Sequence, residues 1–247
     1  MKKIFLLFLI FDISFSHDVW LGAKKINSDS IKILPLISIN FPKAEIISNH
    51  SRFHDFKILS SKDFSSVLFL KDSLSLGIVK TDLPIIVSCN VEPRDLTFPT
   101  KTATHYLKGE VGLSKKEIAN FLKNQKDSIT ENYRRSLKML LFSSTENLKD
   151  TSCGLEREIV LSSFKVINKN SAEISLQILK DSEPNPNCQI RILEGKKSRL
   201  IKSDENGFAK TTIKLNFPIL ISYIDFWQEE SGNFKSIWTN LSLVKIP

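Results

Sequence analysis

The chain has 247 residues and a formal net charge of +8, from 35 lysines and arginines against 27 aspartates and glutamates. This length predicts one large or two ordinary domains, and a hydrophobic content of 41% with a mean hydropathy of −0.09 is typical of a globular protein with a sizeable core. The basic residues are scattered without a nucleic-acid-binding motif, and no segment after the first residues is apolar enough to span a membrane. Composition therefore argues against a nucleic-acid partner and against an integral membrane protein.

The first sixteen residues have the pattern of a signal peptide. Two lysines follow the first methionine, an unbroken apolar run covers residues 4–11, and the small residues Ser14 and Ser16 fit a peptidase cleavage site. A membrane anchor would need about 20 apolar residues, and Asp12 interrupts this run. The sequence therefore predicts export to the periplasm, or to another place in the cell envelope or outside it, with cleavage after Ser16.

Residues 17–100 predict an N-terminal β-sandwich. Their short apolar runs are separated by polar residues or proline, and several alternate with period two, which buries one face of a sheet and leaves the other in water. The predicted strands cover residues 31–39, 53–59, 67–70, 74–79 and 85–91.

Residues 101–145 predict a helical segment and a connecting strand. Ser114 and Glu117 have the spacing of a capping box, in which each side chain accepts a hydrogen bond from the other's backbone amide. Leu113 and Ile118 occupy the positions of a hydrophobic staple, so we predict a helix over residues 115–125. A shorter helical turn is predicted over 102–108, and the alternation at 135–141 predicts a strand that leads into the second half.

Residues 146–247 predict an immunoglobulin-like β-sandwich, because seven short strands follow one another within about 90 residues. They cover residues 155–161, 172–179, 188–193, 200–202, 208–215, 219–226 and 238–246. Asn206 and Gly207 predict a tight hairpin turn, since both tolerate positive φ. The predicted fold class is therefore mainly β, with two antiparallel β-sandwich-like domains and a short helical insertion between them.

The three cysteines have no metal-binding spacing. They lack a CxxC pair and a neighbouring histidine, which argues against zinc. An oxidising compartment allows one disulfide, for which Cys153 and Cys188 are the candidates because they lie in the same half of the chain. Cys89 would then remain reduced and buried.

Several segments together resemble one protein family. Residues 17–21 resemble its opening "AHDFWL", residues 131–140 its central "ExYxRxxKxL", residues 203–208 its "TDxxGxx" turn, and residues 231–243 its closing "SxWASLTF" strand. The family is domain-of-unknown-function family 4198, whose members are labelled predicted periplasmic components of cobalt/nickel uptake. The similarity covers nearly all of the chain after the leader. The positions that carry it, which we interpret as structural, are Trp20, Tyr133, Arg135, Lys138, Asp204, Gly207 and Trp238.

The resemblance implies an exported two-part β protein that handles a divalent metal. A membrane transporter of metal ions would then be its partner. The chain departs from the family pattern, however, with Ser203 where threonine is usual and with residues 224–226 where many relatives have a histidine. If that histidine is a metal ligand in the relatives, Asp225 would have to replace it here.

His17 is the central candidate for metal binding. After cleavage it would be the first residue, and its α-amine and imidazole Nδ1 could close a chelate ring on one ion. A second imidazole from His50, His54 or His105 would complete a three-nitrogen site suited to copper or nickel. The alternative is that His17 begins an edge strand and the other histidines are solvated or hydrogen-bonded.

The central motif allows a similar pair of interpretations. Arg135 with the nearby Lys138 could bind a carboxylate or phosphate. We favour the structural alternative, in which Arg135 pairs with an acidic residue across an interface and Tyr133 buries its ring.

Sequence patterns of known enzymes are missing. The chain lacks a G-x-S-x-G elbow, an H-E-x-x-H motif and a phosphate-binding glycine loop. Paired carboxylates such as Glu156 with Glu158 are interpreted as solvated surface groups, and hydrolysis by two carboxylates is the remaining enzymatic alternative.

The sequence therefore predicts an exported, non-catalytic protein that captures nickel, cobalt or copper for a transporter. The alternative is a cell-envelope interaction module that binds a protein or glycan without a metal.

Overall fold

A computed structural model describes residues 18–28, 30–47, 51–60, 75–80, 83–125, 127–146, 148, 150–230 and 232–246. The predicted leader, His17, His50 and the strand predicted over residues 67–70 lie outside these ranges.

The described residues form fifteen strands, two α-helices and one π-helical turn. The strands are β1 Asp18–Asn27, β2 Ser30–Asn40, β3 Lys43–Ile46, β4 Phe53–Ser60, β5 Gly77–Lys80, β6 Ile85–Pro99, β7 Ser128–Phe142, β8 Arg157–Asn168, β9 Ser171–Lys180, β10 Glu183–Pro184, β11 Gln189–Glu194, β12 Lys197–Lys202, β13 Phe208–Lys214, β14 Ile219–Gln228 and β15 Phe234–Lys245. The helices are α1 Thr100–Tyr106 and α2 Lys115–Leu122, with the π-helical turn Leu107–Val111 between them.

A seven-stranded sheet forms the middle layer of the protein. Its strand order is β12-β11-β14-β15-β7-β6-β4, and β7 and β15 are its one parallel pair of neighbours among the described strands. On one face lies a first four-stranded sheet, in which β2 pairs with β1, β3 and β5. On the other face lies a second four-stranded sheet, in which β9 pairs with β8, β13 and β10.

Alternation along β7 supplies both cores, because successive side chains of a strand point to opposite faces. Leu137, Met139 and Leu141 pack into the cluster shared with the first four-stranded sheet. Leu140 and Phe142 pack into the cluster shared with the second. All five side chains are at most 1% exposed, so β7 is buried on both faces through its second half.

Strand β1 is fixed to the middle sheet by polar side chains as well as by apolar packing. Asn240 Nδ2 donates to the carbonyl of Val19, and Ser242 Oγ donates to the carbonyl of Leu21 at 2.6 Å. These bonds satisfy buried backbone groups of β1 that would otherwise cost stability. The chain just after the predicted cleavage site is therefore part of the core.

The helical segment covers the rest of that same face. Leu107 and Ile118 pack with Ile224 and Trp238 of the middle sheet. The predicted capping box is confirmed, since Ser114 N donates to Glu117 Oε2 at 2.8 Å and Glu117 N donates to Ser114 Oγ at 3.3 Å.

The predicted fold class is confirmed as mainly β, with sandwich-like halves and a short helical insertion. The two sandwiches share their middle layer, because the seven-stranded sheet takes strands from both halves of the chain. The predicted boundaries at residues 100 and 145 stay a prediction.

The turn at residues 203–207 differs from the predicted hairpin. It joins β12 to β13, and these strands belong to different sheets, so the turn crosses between layers. Asp204 Oδ1 accepts from the amides of Asn206 and Phe208 at 2.9 and 2.8 Å, and only Gly207 of the predicted pair has positive φ, at +75°. The side-chain cap of Asp204 replaces the strand pairing that would close a hairpin.

We expect Gly207→Ala to destabilise the protein more than Gly195→Ala. Both glycines have positive φ, which costs an alanine roughly 1–2 kcal/mol. A Cβ at position 207 would also lie 2.9 Å from the carbonyl oxygen of Ile178, whereas nothing lies within 4 Å of a Cβ at position 195. Urea unfolding of both variants checks this, and equal losses in the free energy of unfolding would show that the contact is unimportant.

Candidate functional site

The described metal candidates do not come together. His54 lies on β4 opposite Asn90 of β6, and its Nδ1 is 2.8 Å from Asp55 Oδ2. His105 is exposed on α1, which begins only after β6 ends at Pro99. The strand between positions 90 and 99 extends for roughly 30 Å at about 3.3 Å per residue, so these two imidazoles cannot share an ion.

The carboxylate of Asp225 is paired with basic side chains of the protein. Its Oδ2 accepts from Arg157 Nε at 2.5 Å and lies 3.9 Å from Lys180 Nζ. Two positive neighbours disfavour a divalent ion at this carboxylate. Asp225 therefore does not fit the role of a substitute ligand.

Within the described ranges, no group of three or more histidine, cysteine, aspartate or glutamate residues could hold a metal ion. The described candidates thus fail to form a centre by themselves. Metal capture by His17 and His50 stays a prediction, because both residues lie outside the described ranges.

Arg135 is buried in an aromatic setting. Its guanidinium carbon lies 4.4 Å from the ring centre of Trp238 and 5.4 Å from that of Tyr133. Burial lowers the pKa of Arg135, against which the charges of groups including Asp18 act to keep it ionised. A cation stacked on two rings and 7% exposed stabilises packing and offers little surface to a ligand.

Glu131, on the same face of β7, closes a buried hydrogen-bonded chain. Tyr106 Oη donates to Glu131 Oε1 at 2.9 Å, and Ser236 Oγ donates to the same oxygen. Trp238 Nε1 donates to Ser236 Oγ at 3.0 Å. Tyr106 also stacks on Trp238 with ring centres 5.7 Å apart. The motif residues of this face therefore fasten α1 to the middle sheet.

Four other motif positions also have structural surroundings. Trp20 packs edge-on against Phe41 with ring centres 5.3 Å apart. Asp204 and Gly207 form the turn between layers. Lys138 points to the opposite face of β7 from Arg135, where it meets the carboxylates of Asp150 and Glu158. The interpretation of Glu158 as a solvated surface group is wrong, since it is 1% exposed.

A polar groove lies at the end of the middle sheet that the second four-stranded sheet leaves uncovered. Its volume is about 340 Å³. The lining residues are Asp95, Thr130, Asn132, Glu229, Asn233, Phe234 and Lys235. They come from β6, β7, β15 and the connection between β14 and β15, so four neighbouring parts of one sheet form the surface.

Strand register aligns a row of side chains across this groove. Asp95 faces Asn132, Asn132 faces Lys235, and Lys235 faces Trp227. In-register neighbours project to the same face of a sheet. Trp227 is half-buried and belongs to none of the four apolar clusters, and its register places it next to Lys235, just outside the residues that line the groove.

Internal bonds orient the polar groups of the groove. Asn132 Nδ2 donates to Asp95 Oδ1 at 2.6 Å, and the hydroxyls of Thr97 and Thr130 are 2.8 Å apart. Lys235 Nζ pairs with Glu229 Oε1 at 2.6 Å. The floor is rigid, because Phe234 is 1% exposed and stacks on Phe226 with ring centres 5.4 Å apart.

Sequence reasoning missed both the groove and the partners of Lys138, although each left a signal. In β7, polar Thr130 and Asn132 alternate with residues that face the helices, which indicates a second, wetter face. Lys138 interrupts the apolar run 137–142, and a lysine within such a run indicates a buried ion pair.

The predicted disulfide is not formed. Cys89, Cys153 and Cys188 are all free and buried. Cys188 Sγ donates to the carbonyl of Asn185 at 3.3 Å, whereas Cys153 Sγ lies 4.0 Å from the carbonyl of Thr151. The two thiols have different neighbours, so their position in the same half of the chain was not sufficient to predict a disulfide.

Comparison with known proteins adds little. No protein-family model matches the chain, and no curated protein matches it. Among solved structures it is similar to the "D0-D1 domain of Intimin", with 12% identity and a TM-score of 0.22 over 92% of this chain and 98% of that one. A TM-score this low carries no argument about function. The described helices are too short or too polar to cross a membrane. Membership of the uptake-related family stays a prediction.

We expect all three thiols to resist alkylation in the native protein. Desolvation raises the pKa of Cys153 to about 11 and also raises the pKa of Cys89 and Cys188, so the reactive thiolate is scarce at neutral pH. After unfolding without a reductant, all three should react with iodoacetamide, as counted by mass spectrometry. A single reactive thiol would instead support the disulfide between Cys153 and Cys188.

Metal capture can be tested independently of the described residues. If His17 is the first residue and binds an ion through its amine and imidazole, calorimetric titration with nickel, cobalt and copper should give binding heat. A protein that retains extra residues before His17 is the matched control, since it lacks the terminal amine at that position. Equal heats from the two proteins would exclude the chelate.

Proposed function

We propose that this protein is an exported, non-catalytic module of the cell envelope that binds a neutral glycan in the polar groove at the open end of the middle sheet. The observation that carries the proposal is the in-register row of Asp95, Asn132, Lys235 and Trp227 on an exposed sheet surface. Export rests on the leader pattern of residues 1–16.

The size and lining of the groove fit part of a saccharide. Its volume of about 340 Å³ falls within the range of roughly 300–1,000 Å³ that is usual for small-ligand sites. Such sites are mostly apolar, whereas this groove has carboxylate, amide, hydroxyl and ammonium groups along its walls. A ligand with many hydroxyls can exchange its bonds to water for bonds to these groups, which an apolar ligand cannot do.

The charges favour a neutral ligand over an acidic one. Lys235 is neutralised by Glu229 at 2.6 Å, and Asp95 adds a further carboxylate. An anionic sugar would meet this carboxylate without an uncommitted cation from the lining residues to balance it. Neutral hexose or N-acetylhexosamine units avoid this repulsion.

Trp227 supplies an apolar surface beside the polar groups of the groove. Sugars combine a polar rim with C–H faces, and an indole ring gives such a face a broad, rigid surface at low entropic cost. The half-buried position of Trp227 beside the polar row places both kinds of contact on one side of the sheet.

The same geometry supports binding rather than hydrolysis. A glycosidase needs one carboxyl group that stays protonated in a shielded site and a second one placed across the bond. Asp95 is exposed and bonded to Asn132, while Glu229 is paired with Lys235 and its side chain is 36% exposed. Neither carboxylate has the shielded surroundings of a general acid.

We expect the full chain to bind neutral oligosaccharides on an array, and the best of them to give measurable heat by calorimetry. Asn132→Ala and Trp227→Ala should each weaken binding about tenfold, since a lost hydrogen bond or ring contact is worth roughly 1–1.5 kcal/mol. Asn40→Ala is the matched control, because this exposed asparagine lies on β2 of the first four-stranded sheet and does not line the groove. Absence of binding to every sugar, or an equal loss with Asn40→Ala, would contradict the proposal, and release of shorter sugars would indicate hydrolysis instead.

A further inference from the structure

Three ionisable side chains meet in the core on the second face of β7. Lys138 Nζ lies 2.9 Å from Asp150 Oδ1 and 2.7 Å from Glu158 Oε1. The side chains of these residues are 1%, 0% and 1% exposed. One lysine and two carboxylates are thus enclosed together and shielded from solvent.

The two carboxylates have different surroundings. Glu158 accepts hydrogen bonds from Ser152 Oγ at 2.7 Å and from the amides of Cys153 and Gly154 at 2.8 and 3.2 Å. Asp150 accepts from the amides of Leu161 and Thr151 at 2.9 and 2.8 Å. The larger set of donors fixes the Glu158 carboxylate in place. Asp150 is therefore the less constrained carboxylate and the one that we assign to react.

Proton affinities agree with this assignment. Desolvation raises the pKa of Asp150 despite the nearby ammonium. Desolvation alone would lower the pKa of Lys138, but the charges of Asp150 and Glu158 outweigh it and leave that pKa raised. The resting state is an ammonium facing a carboxylate, and one proton moved across their 2.9 Å contact converts both to neutral groups without a change in total charge.

We propose that Lys138 and Asp150 condense to an intramolecular amide, with Glu158 as the proton carrier. The nitrogen faces an oxygen that is bonded directly to Cγ of Asp150, which places it beside the carbon it attacks. Amide formation needs about 3–3.5 Å between the reacting atoms, and a nitrogen already held 2.9 Å from Oδ1 needs only a small movement to reach Cγ, so an intramolecular step replaces an intermolecular encounter.

The atoms and charges of the step balance within the cluster. A proton passes from Lys138 Nζ to Asp150, and the amine lone pair then forms the N–Cγ bond. Glu158 takes one further proton from the nitrogen and delivers it to the departing hydroxyl. The C–O bond breaks, one water molecule leaves, and an ammonium and a carboxylate have become one amide. No oxidant, reductant or cofactor enters.

Burial also favours the product. An ion pair in the core carries a desolvation cost that a neutral amide does not. Exclusion of water from the site slows the reverse hydrolysis. Glu158 keeps its hydrogen bonds to residues 152–154 throughout, and its bond to Lys138 persists as an amide N–H.

Mass spectrometry of the purified full chain tests the bond directly. We expect the peptides that contain residues 136–157 to be lighter by the mass of one water molecule, under denaturing conditions. Trypsin should fail to cleave after Lys138, because an acylated lysine is no substrate, and the digest should contain residues 136–149 joined to residues 150–157. A normal mass together with cleavage after Lys138 in the native chain overturns the proposal without any variant.

Two variants test the roles of Asp150 and Glu158. Asp150→Asn should lose the mass of one ammonia in place of one water, since the leaving group changes. Glu158→Gln should leave Lys138 and position 150 unlinked in protein that remains folded, as judged by circular dichroism. A link that persists in Glu158→Gln would remove Glu158 from the mechanism.

An exposed pair provides the matched control. Lys235 and Glu229 are even closer, at 2.6 Å, but their side chains are 41% and 36% exposed. Their peptides should have the full mass, and Lys235→Arg should keep the deficit at residues 136–157. A link between Lys235 and Glu229 would show that proximity alone is sufficient and would overturn the role of the enclosed site.

Discussion

Burial of the second half of β7 on both faces is the constraint on which the rest of the structure depends. The strand is hydrogen-bonded to β6 on one side and to β15 on the other, and its second half is covered by another layer on each face. Two buried cations lie on this strand three positions apart, so Arg135 and Lys138 point to opposite faces. A buried cation is tolerated only with partners, and the two faces provide different ones.

The surroundings of Arg135 and of Lys138 come from different parts of the chain. On the first face, rings of Trp238 and Tyr133 stack on Arg135, and Arg191 connects Asp18 at the start of β1 to Glu110 in the π-helical turn, 2.7 Å away. On the second face, residues 150–158 wrap around Lys138. The motif residues Arg135 and Lys138 therefore help to determine where β1, the helices and the connection to β8 pack against the middle sheet.

The sequence predicted the local features well, because their causes are local. The capping box at Ser114 depends on residues three apart, and period-two alternation reports burial within one strand. The parallel pairing of β7 with β15 joins residues more than a hundred positions apart, so neither strand contains a local sequence pattern that predicts it. The turn at Gly207 was misassigned for the same reason, since a turn between sheets and a turn within a hairpin use similar residues.

The sequence leaves the surroundings of site residues open where they depend on such distant pairing. Glu156 and Glu158 look alike in the sequence, yet the first is at the surface beside Arg134 and the second is enclosed with Lys138. In the sequence Asp225 resembles an available metal ligand, but in the structure its carboxylate accepts a hydrogen bond from Arg157. The groove residues Asp95 and Lys235 are 140 positions apart in the numbering and become neighbours of Asn132 only through strand register.

The groove and the Lys138 cluster lie on the same strand, so a ligand bound as we propose would be held by a strand that also passes through the core. Asn132 is in the first half of β7 and Lys138 is six positions later, on the same face, because an even separation returns a side chain to that face. A load on a ligand held by Asn132 would pass along β7 into the region where Lys138 pairs with the segment before β8. A covalent bond at that point would keep β7 from sliding against its parallel neighbour β15, since sliding would require the enclosed connection to open as well. An envelope protein that holds a ligand under tension would gain its resistance from this second half of the strand, away from the surface that makes the contact.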